Sequence, residues 1–327
     1  MSSTSIPKLE DIENLQQIIQ TRWTELHDHQ PEQGVFRYRL TIERERVTVD
    51  GRCGFLLQLN RKRTTERRKP DIMASVAPTF DPDRFNFNKV DSREVLLEVR
   101  CGSSLVSILI NNSPLTIYHT LIVPDRNRNL PQVLTRDSLE VAVSLLLRLE
   151  DRNHRIGYNS PGALASVNHL HFHLMHLTHK LYVEDAPVTA LAHHLFRLDN
   201  HPARAYCFLL QPNTPPADFI QRIYRLITIL LSGNIAHNLF LTWNGSRDTL
   251  RALIYPRLRP CENKQVSPFN VAFCELSGFV PLGDETDYER LDELQLATHF
   301  REAQGTDESL HHQLDRIVLE GLGGSEG

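Results

Sequence analysis

The sequence predicts an α+β protein built as two halves, and three observations predict it. Residues 94–124 carry three short, apolar, β-prone runs separated by turn residues. DSLEVAVSLLLRLEDR (137–152) and FIQRIYRLITILLSG (219–233) repeat apolar residues at helical spacing. Each of these helices is followed by further strand-like runs, so both halves mix strands and helices. A chain of 327 residues accommodates about two domain-sized units.

Taken in order, residues 8–28 place Leu15, Ile18, Ile19 and Leu26 near one helical face, as expected for a helix packed on the main body. FRYRLTIERERVTV (36–49) and GFLLQLN (54–60) read as strands, and RKRTTERRKP (61–70) as a basic loop. FDPDRFNFNKV (80–90) reads as loop plus a short strand. EVLLEV, SLVSILIN and IYHTLIVP are strands, with Asn111, Asn112, Ser113 and Pro114 forming a turn before the last. The helix over 137–152 has the apolar face Leu139, Ala142, Val143, Leu146 and Leu149, and Asp137 with Glu140 predicts its capping box. GYNSPGA (157–163) is a loop, and a histidine-rich strand follows it. In the second half, 219–233 is a helix ended by Gly233. Residues 237–243, 250–257 and 270–282 are strands, and 288–303 is helical. These elements give four expected segments: an N-terminal helical extension (1–35), a catalytic half (36–190), a second α+β half (191–310) and a partly disordered tail (311–327).

Composition narrows the function. With 40% hydrophobic and 23% charged residues, the chain reads as an ordinary soluble protein. A formal net charge of -4 supplies no field to recruit nucleic acid or an anionic membrane. The five cysteines are odd in number, far apart and without a CxxC pair, so neither a disulfide framework nor a cysteine zinc site is expected. MSSTSIPKLEDIENL lacks the basic and apolar regions of a signal peptide, and LITILL (226–231) is too short to span a bilayer. The expectation is a reduced, cytoplasmic protein.

The chemistry concentrates in VNHLHFHLMHL (167–177). On a strand, His169, His171 and His173 share one face while Leu170, Phe172 and Leu174 bury the other. Three readings compete: an exposed polar face, a metal site, or a nucleophilic imidazole held by its neighbours. The hydrolytic HxHxDH metal pattern needs an acid where this chain has Phe172 and His173, and no HExxH is present. A histidine that attacks phosphorus must be neutral, with one nitrogen tied to an acceptor and donors nearby for phosphate oxygens. Asn159, Ser160 and Ser166, in a glycine-containing loop just upstream, are such donors.

SVNHLHFHL resembles the HφHφHφ motif of the histidine-triad superfamily. NNSPLTIYHTLIVPDR (111–126) is similar to that superfamily's strand–turn–strand entry with its His–x–Leu–φ–φ–Pro segment. QLNRKRTTERRKP, FDPDRFNFNKV, GYNSPGALASVNHLHFH, NHPARAYCF and ELSGFVPLGDETDYE, collinear from about residue 54 to 290, further resemble the GDP-hexose phosphorylases. The resemblance implies a histidine-triad-like antiparallel sheet with flanking helices. It implies a nucleotidyltransferase reaction, GDP-hexose + phosphate → GDP + hexose 1-phosphate, with GDP-glucose as the substrate of the animal branch and no cofactor. His171 would be the nucleophile that carries a guanylyl group, with His169 supporting it through its backbone carbonyl and His173 facing the phosphate. Asn159, Ser166, His119 and Lys89 would bind substrate, with Arg67 and Arg68 as weaker candidates. His173 stands where plant phosphorylases and galactose-1-phosphate uridylyltransferases carry glutamine, which keeps water as an alternative acceptor. A non-enzymatic guanine-nucleotide regulator is the other alternative. The expected partners are GDP-hexose and inorganic phosphate, without nucleic acid or membrane, and a homodimer is compatible with the sequence. The guanine pocket has no signature: Phe55, Phe80 and Phe85 could stack a base or pack a core.

Overall fold

Short apolar runs that bury only one or two faces need edge partners, and here they find them in one large sheet. The computed structural model describes residues 6–29, 34–66, 73, 75–259 and 270–323. Its elements are α1 (Leu15–Asp28), β1 (Arg44–Val47), β2 (Leu56–Leu59), α2 (Arg61–Glu66), β3 (Val95–Cys101), β4 (Ser104–Ile110), β5 (Thr120–Pro124) and α3 (Arg136–Arg148). Next come β6 (His154–Asn159), β7 (Phe172–His176), β8 (Val188–Ala192), β9 (Leu195–Leu198), β10 (Tyr206–Leu210), α4 (Pro216–Ser232), β11 (Ala236–Trp243) and β12 (Leu250–Arg257). The described chain ends with α5 (Phe273–Leu276), β13 (Phe279–Leu282), α6 (Glu285–Arg290), α7 (Glu293–Gln304) and α8 (Glu308–Gly323). Ten strands form a wholly antiparallel sheet in the order β3-β4-β5-β7-β6-β11-β12-β10-β9-β8, and β1, β2 and β13 form a smaller one.

The large sheet is two copies of one plan. From its outer edge inward the first half runs β3, β4, β5, β7, β6, with α3 between β5 and β6 in sequence. The second runs β8, β9, β10, β12, β11, with α4 between β10 and β11. The halves meet in the antiparallel pair β6–β11, where Asn159 faces Asn238 and Gly157 faces Phe240. One face carries α1, α3, α4 and α8 over a core that includes Trp23, Leu146, Phe172, Ile227 and Val318. On the other face, Phe240, Leu253 and Tyr255 pack with residues of α5, α7 and the small sheet, among them Phe273, Phe279 and Phe300. Strand alternation sorts residues between these faces. In β12, Leu250, Ala252 and Ile254 join the helical core, and Leu253 and Tyr255 the other.

Several local expectations change. α3 starts one residue earlier, with Thr135 as its cap. Thr135 is extended (φ -115°, ψ 163°), its hydroxyl accepts from Ser138 N at 3.1 Å, and Ser138 Oγ accepts from Thr135 N at 2.9 Å. Asp137 therefore sits in the first turn, where its charge complements the helix dipole, instead of forming a box with Glu140. The strand expected over 270–282 is a helical turn, α5, and then β13, separated by Gly278 at φ +95°. The helix expected over 288–303 is split into α6 and α7, because Asp292 is extended and its carboxylate takes Gln295 N at 2.7 Å. FNFNK forms a 3-10 turn at Phe87–Lys89 and no strand, and residues 61–66 of the basic loop are helical. Of the strand expected over 36–49, the regular part is Arg44–Val47. From residue 311 to 323 the expected tail is the body of α8, whose His311, Leu314 and Val318 are buried. Among the described residues no helix is long and apolar enough to cross a membrane.

Gly157 on β6 makes room for α5. A Cβ built there would lie 2.0 Å from the Phe273 ring, which is itself buried. Gly157→Ala is therefore expected to lower stability by about 1–3 kcal/mol, read by urea denaturation, because the ring cannot retreat without repacking its core. His154, His169, His201 and His237 are each brought down to about 4, first of all by burial, so the folded protein holds them neutral. Between about pH 6.5 and 4 the unfolded chain binds protons that the folded chain refuses, so stability falls as pH falls through this window. Each group contributes at most about 1.4 kcal/mol per pH unit. Denaturation midpoints measured at pH 7, 5.5 and 4.5 are expected to decline steadily.

Candidate active site

β7 begins only at Phe172, so His169 and His171 stand on the extended segment leading into it, and His173 is its second residue. The alternation still operates. Leu170, Phe172 and Leu174 lie in the helical core, while the histidines share the opposite face with Met175. His169 and His171 are buried, and His173 is half-buried.

The imidazole of His171 is held from behind. Its Nδ1 lies 2.8 Å from the His169 carbonyl and 2.9 Å from Gln132 Oε1. Both are acceptors, so Nδ1 carries the proton and Nε2 the lone pair. Gln132 Oε1 also accepts from His171 N at 2.9 Å, while its Nε2 donates to the carbonyls of Asn159 (3.0 Å) and His171 (3.2 Å). The Gln132 backbone is fixed as well, with its N donating to Asn168 Oδ1 and its carbonyl accepting from Tyr158 Oη. His169 Nδ1 accepts from Phe87 N at 3.1 Å.

A second chain of imidazoles reaches His173. His119 is fully buried, and its Nδ1 accepts from Leu115 N at 3.0 Å. Burial, and next the Arg63 guanidinium, hold His119 well below its ordinary range, so it is neutral with its proton on Nε2. Nε2 lies 3.0 Å from His173 Nδ1 and 3.0 Å from the Asn111 carboxamide nitrogen. A neutral imidazole accepts at one nitrogen only, so His119 donates to His173 and the Asn111 nitrogen merely stands beside the bond. His173 then accepts at Nδ1 and carries its own proton on Nε2.

His171, His173 and Ser166 line one cleft, together with Arg63, Asn111 and Ser113. Arg63 donates to the Ser113 carbonyl at 2.7 Å, which holds its charge over the cleft. Arg37 and Glu94 add one charge of each sign to the walls. Two expected substrate residues point elsewhere. Asn159 Oδ1 accepts from Asn238 Nδ2 at 2.6 Å and from Phe273 N at 3.1 Å, joining the halves, and the residue does not line the cleft. Lys89 donates to the carbonyls of Asp83 (3.0 Å) and Arg84 (2.8 Å) and does not line it either. Arg67 and Arg68 lie outside the described residues. Phe55 packs in the second core, Phe80 stands edge-on to His169, and Phe85 lines the cleft. His176 bonds to Asp151 at 2.7 Å, at the far end of β7. Among the described residues no three His, Cys, Asp or Glu side chains are grouped to hold a metal ion. Sequence reasoning missed Gln132, Asn111, Arg63, Arg37 and Glu94. Only the NNSP turn next to Ile110 carried any signal, and there Asn111 read as a turn former.

Two family models match, in tandem: "GDPGP1-like, N-terminal domain" over residues 14–175 and "GDPGP1-like, C-terminal domain" over 179–323. The GDP-D-glucose phosphorylase 1 of Danio rerio is 39% identical over 289 residues, 84% of this chain and 82% of that one. Its Homo sapiens counterpart is 36% identical over 80% of this chain and 73% of its own. GDP-L-galactose phosphorylase 2 of Arabidopsis thaliana is 28% identical over 80% and 67%. In fold, the chain is similar to the yeast Ap4A phosphorylase Apa2 solved with AMP. The TM-score is 0.62 and the sequence identity 16%, over 90% of this chain and 97% of that one. The tandem domain matches and these identities lead to one conclusion: the chain belongs to the GDPGP1-like family, the family of the animal GDP-D-glucose phosphorylases.

Proposed function

We propose that the chain is a GDP-hexose phosphorylase that converts GDP-D-glucose and inorganic phosphate into GDP and glucose 1-phosphate. One observation carries the reading: in a chain of this family, His171 stands on the cleft wall with its Nδ1 held by the His169 carbonyl and Gln132, so that Nε2 is the nucleophilic nitrogen.

His171 Nε2 attacks the phosphorus next to guanosine, a P–N bond forms, and the bond to the leaving oxygen breaks. Glucose 1-phosphate departs with that electron pair, leaving guanylyl-histidine. Phosphate then attacks the same phosphorus, the P–N bond breaks back onto Nε2, and GDP is released. The developing positive charge on the imidazole is spread through Nδ1–H to its two oxygen acceptors. His173 Nε2–H, set by His119, offers a donor to a phosphoryl oxygen, as a glutamine amide would. That similarity of function removes the need for water as acceptor merely because the third motif position is histidine. Arg63 and Ser166 in the same cleft fit the role of charge and hydrogen-bond partners for the phosphates. A cytoplasmic location fits the free, buried thiols of Cys53, Cys101, Cys207 and Cys274.

Incubation with GDP-glucose is expected to release GDP only when phosphate is present. When phosphate is withheld, mass spectrometry of a digest should find one GMP on His171. Phosphate-independent turnover would instead identify a hydrolase, and full activity of His171→Ala would sink the mechanism. Gln132→Met keeps the volume but removes the acceptor at Nδ1. It is expected to lower kcat on the order of 100-fold, as loss of an orienting partner does elsewhere. Its cost in stability is about 1–3 kcal/mol, from the carbonyls and N–H left unpaired.

A further inference from the structure

The cleft has a second compartment that phosphoryl transfer does not use. Next to the histidines, its wall becomes apolar through Phe85, Phe87, Val90, Leu109, Leu121 and Val167. The slot starts at the nucleophile, since the Phe87 ring lies 5.0 Å from the His171 ring and 6.0 Å from that of Phe85. A nucleotide whose phosphorus sits at His171 must put its base about one ribose away, and an apolar lining of this kind suits a base. Two charged groups share the cleft with it. Glu94 is half-buried at the end of a 3-10 turn (Ser92–Glu94), and its Oε1 accepts from Asp91 N at 3.3 Å, which fixes the carboxylate's position. Desolvation, above all, raises its pKa, and Arg37 acts in the opposite direction. Arg37 comes from a different segment of the chain, where its N donates to the Asn112 carbonyl at 2.8 Å. Among the described residues its guanidinium has no hydrogen bond or ion pair. The two groups are near enough to influence each other, yet they form no salt bridge.

We propose that Glu94 and Arg37 are the specificity-determining residues for guanine, reading its edge at the apolar slot. The inference rests on the GDP-hexose reading and names how that site selects its nucleotide. Guanine presents N1–H and N2–H2 as neighbouring donors, which match the two oxygens of a carboxylate. Its O6 and N7 are acceptors, which match the fork of a guanidinium. Adenine reverses the pattern: its amino group would meet Arg37, and its bare N1 would meet the Glu94 carboxylate. A partly desolvated carboxylate facing a lone pair is penalised, so the pair rejects adenine as well as accepting guanine.

Equilibrium binding tests this without turnover. The full chain and its Glu94→Gln variant are titrated calorimetrically with GDP, IDP and ADP, and thermal melting checks that the variant folds. The native protein is expected to bind GDP more tightly than IDP, which lacks the 2-amino group, and IDP more tightly than ADP. E94Q is expected to weaken GDP by roughly 10- to 100-fold and to bind ADP more tightly than the native protein does, because the repulsion at adenine N1 is gone, so the order collapses. Arg37→Met should likewise narrow the gap between GDP and ADP. The proposal is overturned if the native protein shows no guanine preference, if folded E94Q keeps the native GDP-to-ADP ratio, or if it loses both nucleotides equally. If E94Q collapses the preference while GDP-glucose is not turned over, the base-reading pair stands and the phosphorylase reading falls.

Discussion

The carboxamide of Gln132 ties together segments that the chain lays down far apart. It belongs to the loop before α3, accepts from His171 at both backbone and ring, and donates to carbonyls at the end of β6 and at His171 itself. Because the group is fully buried, each of these bonds replaces one that water would otherwise supply, and losing any of them leaves a polar atom stranded. The ring of His171 therefore has one orientation and one tautomer before any substrate arrives. In the proposed mechanism, preorganisation of this kind is what lets a single imidazole work as a nucleophile.

The rest of the site is arranged around that fixed point. His119 is neutral because burial and Arg63 oppose its charge, and its tautomer passes to His173 through one hydrogen bond. Phe273, from the second half, packs 5.4 Å from His173, and Asn238 engages Asn159. The two halves share one plan of strands and helix, but their chemistry is unequal. β12 holds the place in the second half that β7 holds in the first, and it carries Arg251 and Leu253 with no histidine. The first half supplies the imidazoles, and the second braces them.

What could be read from the sequence depended on range. The alternation in VNHLHFHL is local, so the shared face of its histidines was legible, as were the helices at 137–152 and 219–233 from their period. The repeat of element order was hidden, because β8 to β10 are short strands whose pairing is decided by neighbours distant in sequence. Asn159 looked like a phosphate donor in a loop, but it ends a strand and its side-chain oxygen accepts from the partner half. Gln132 is a single amide in NLPQV, with nothing nearby to mark it. Glu94 read as the start of a strand, while its carboxylate caps a turn at the wall of the cleft.

The β6–β11 pair has a consequence for how the molecule behaves on dilution. Two separate chains that met through such a pair would part as their concentration fell. Here both strands belong to one chain, so the second half is always present at the effective concentration set by the covalent connection. The bracing of the imidazoles by Asn238 and Phe273 is thus independent of how much protein the cell contains.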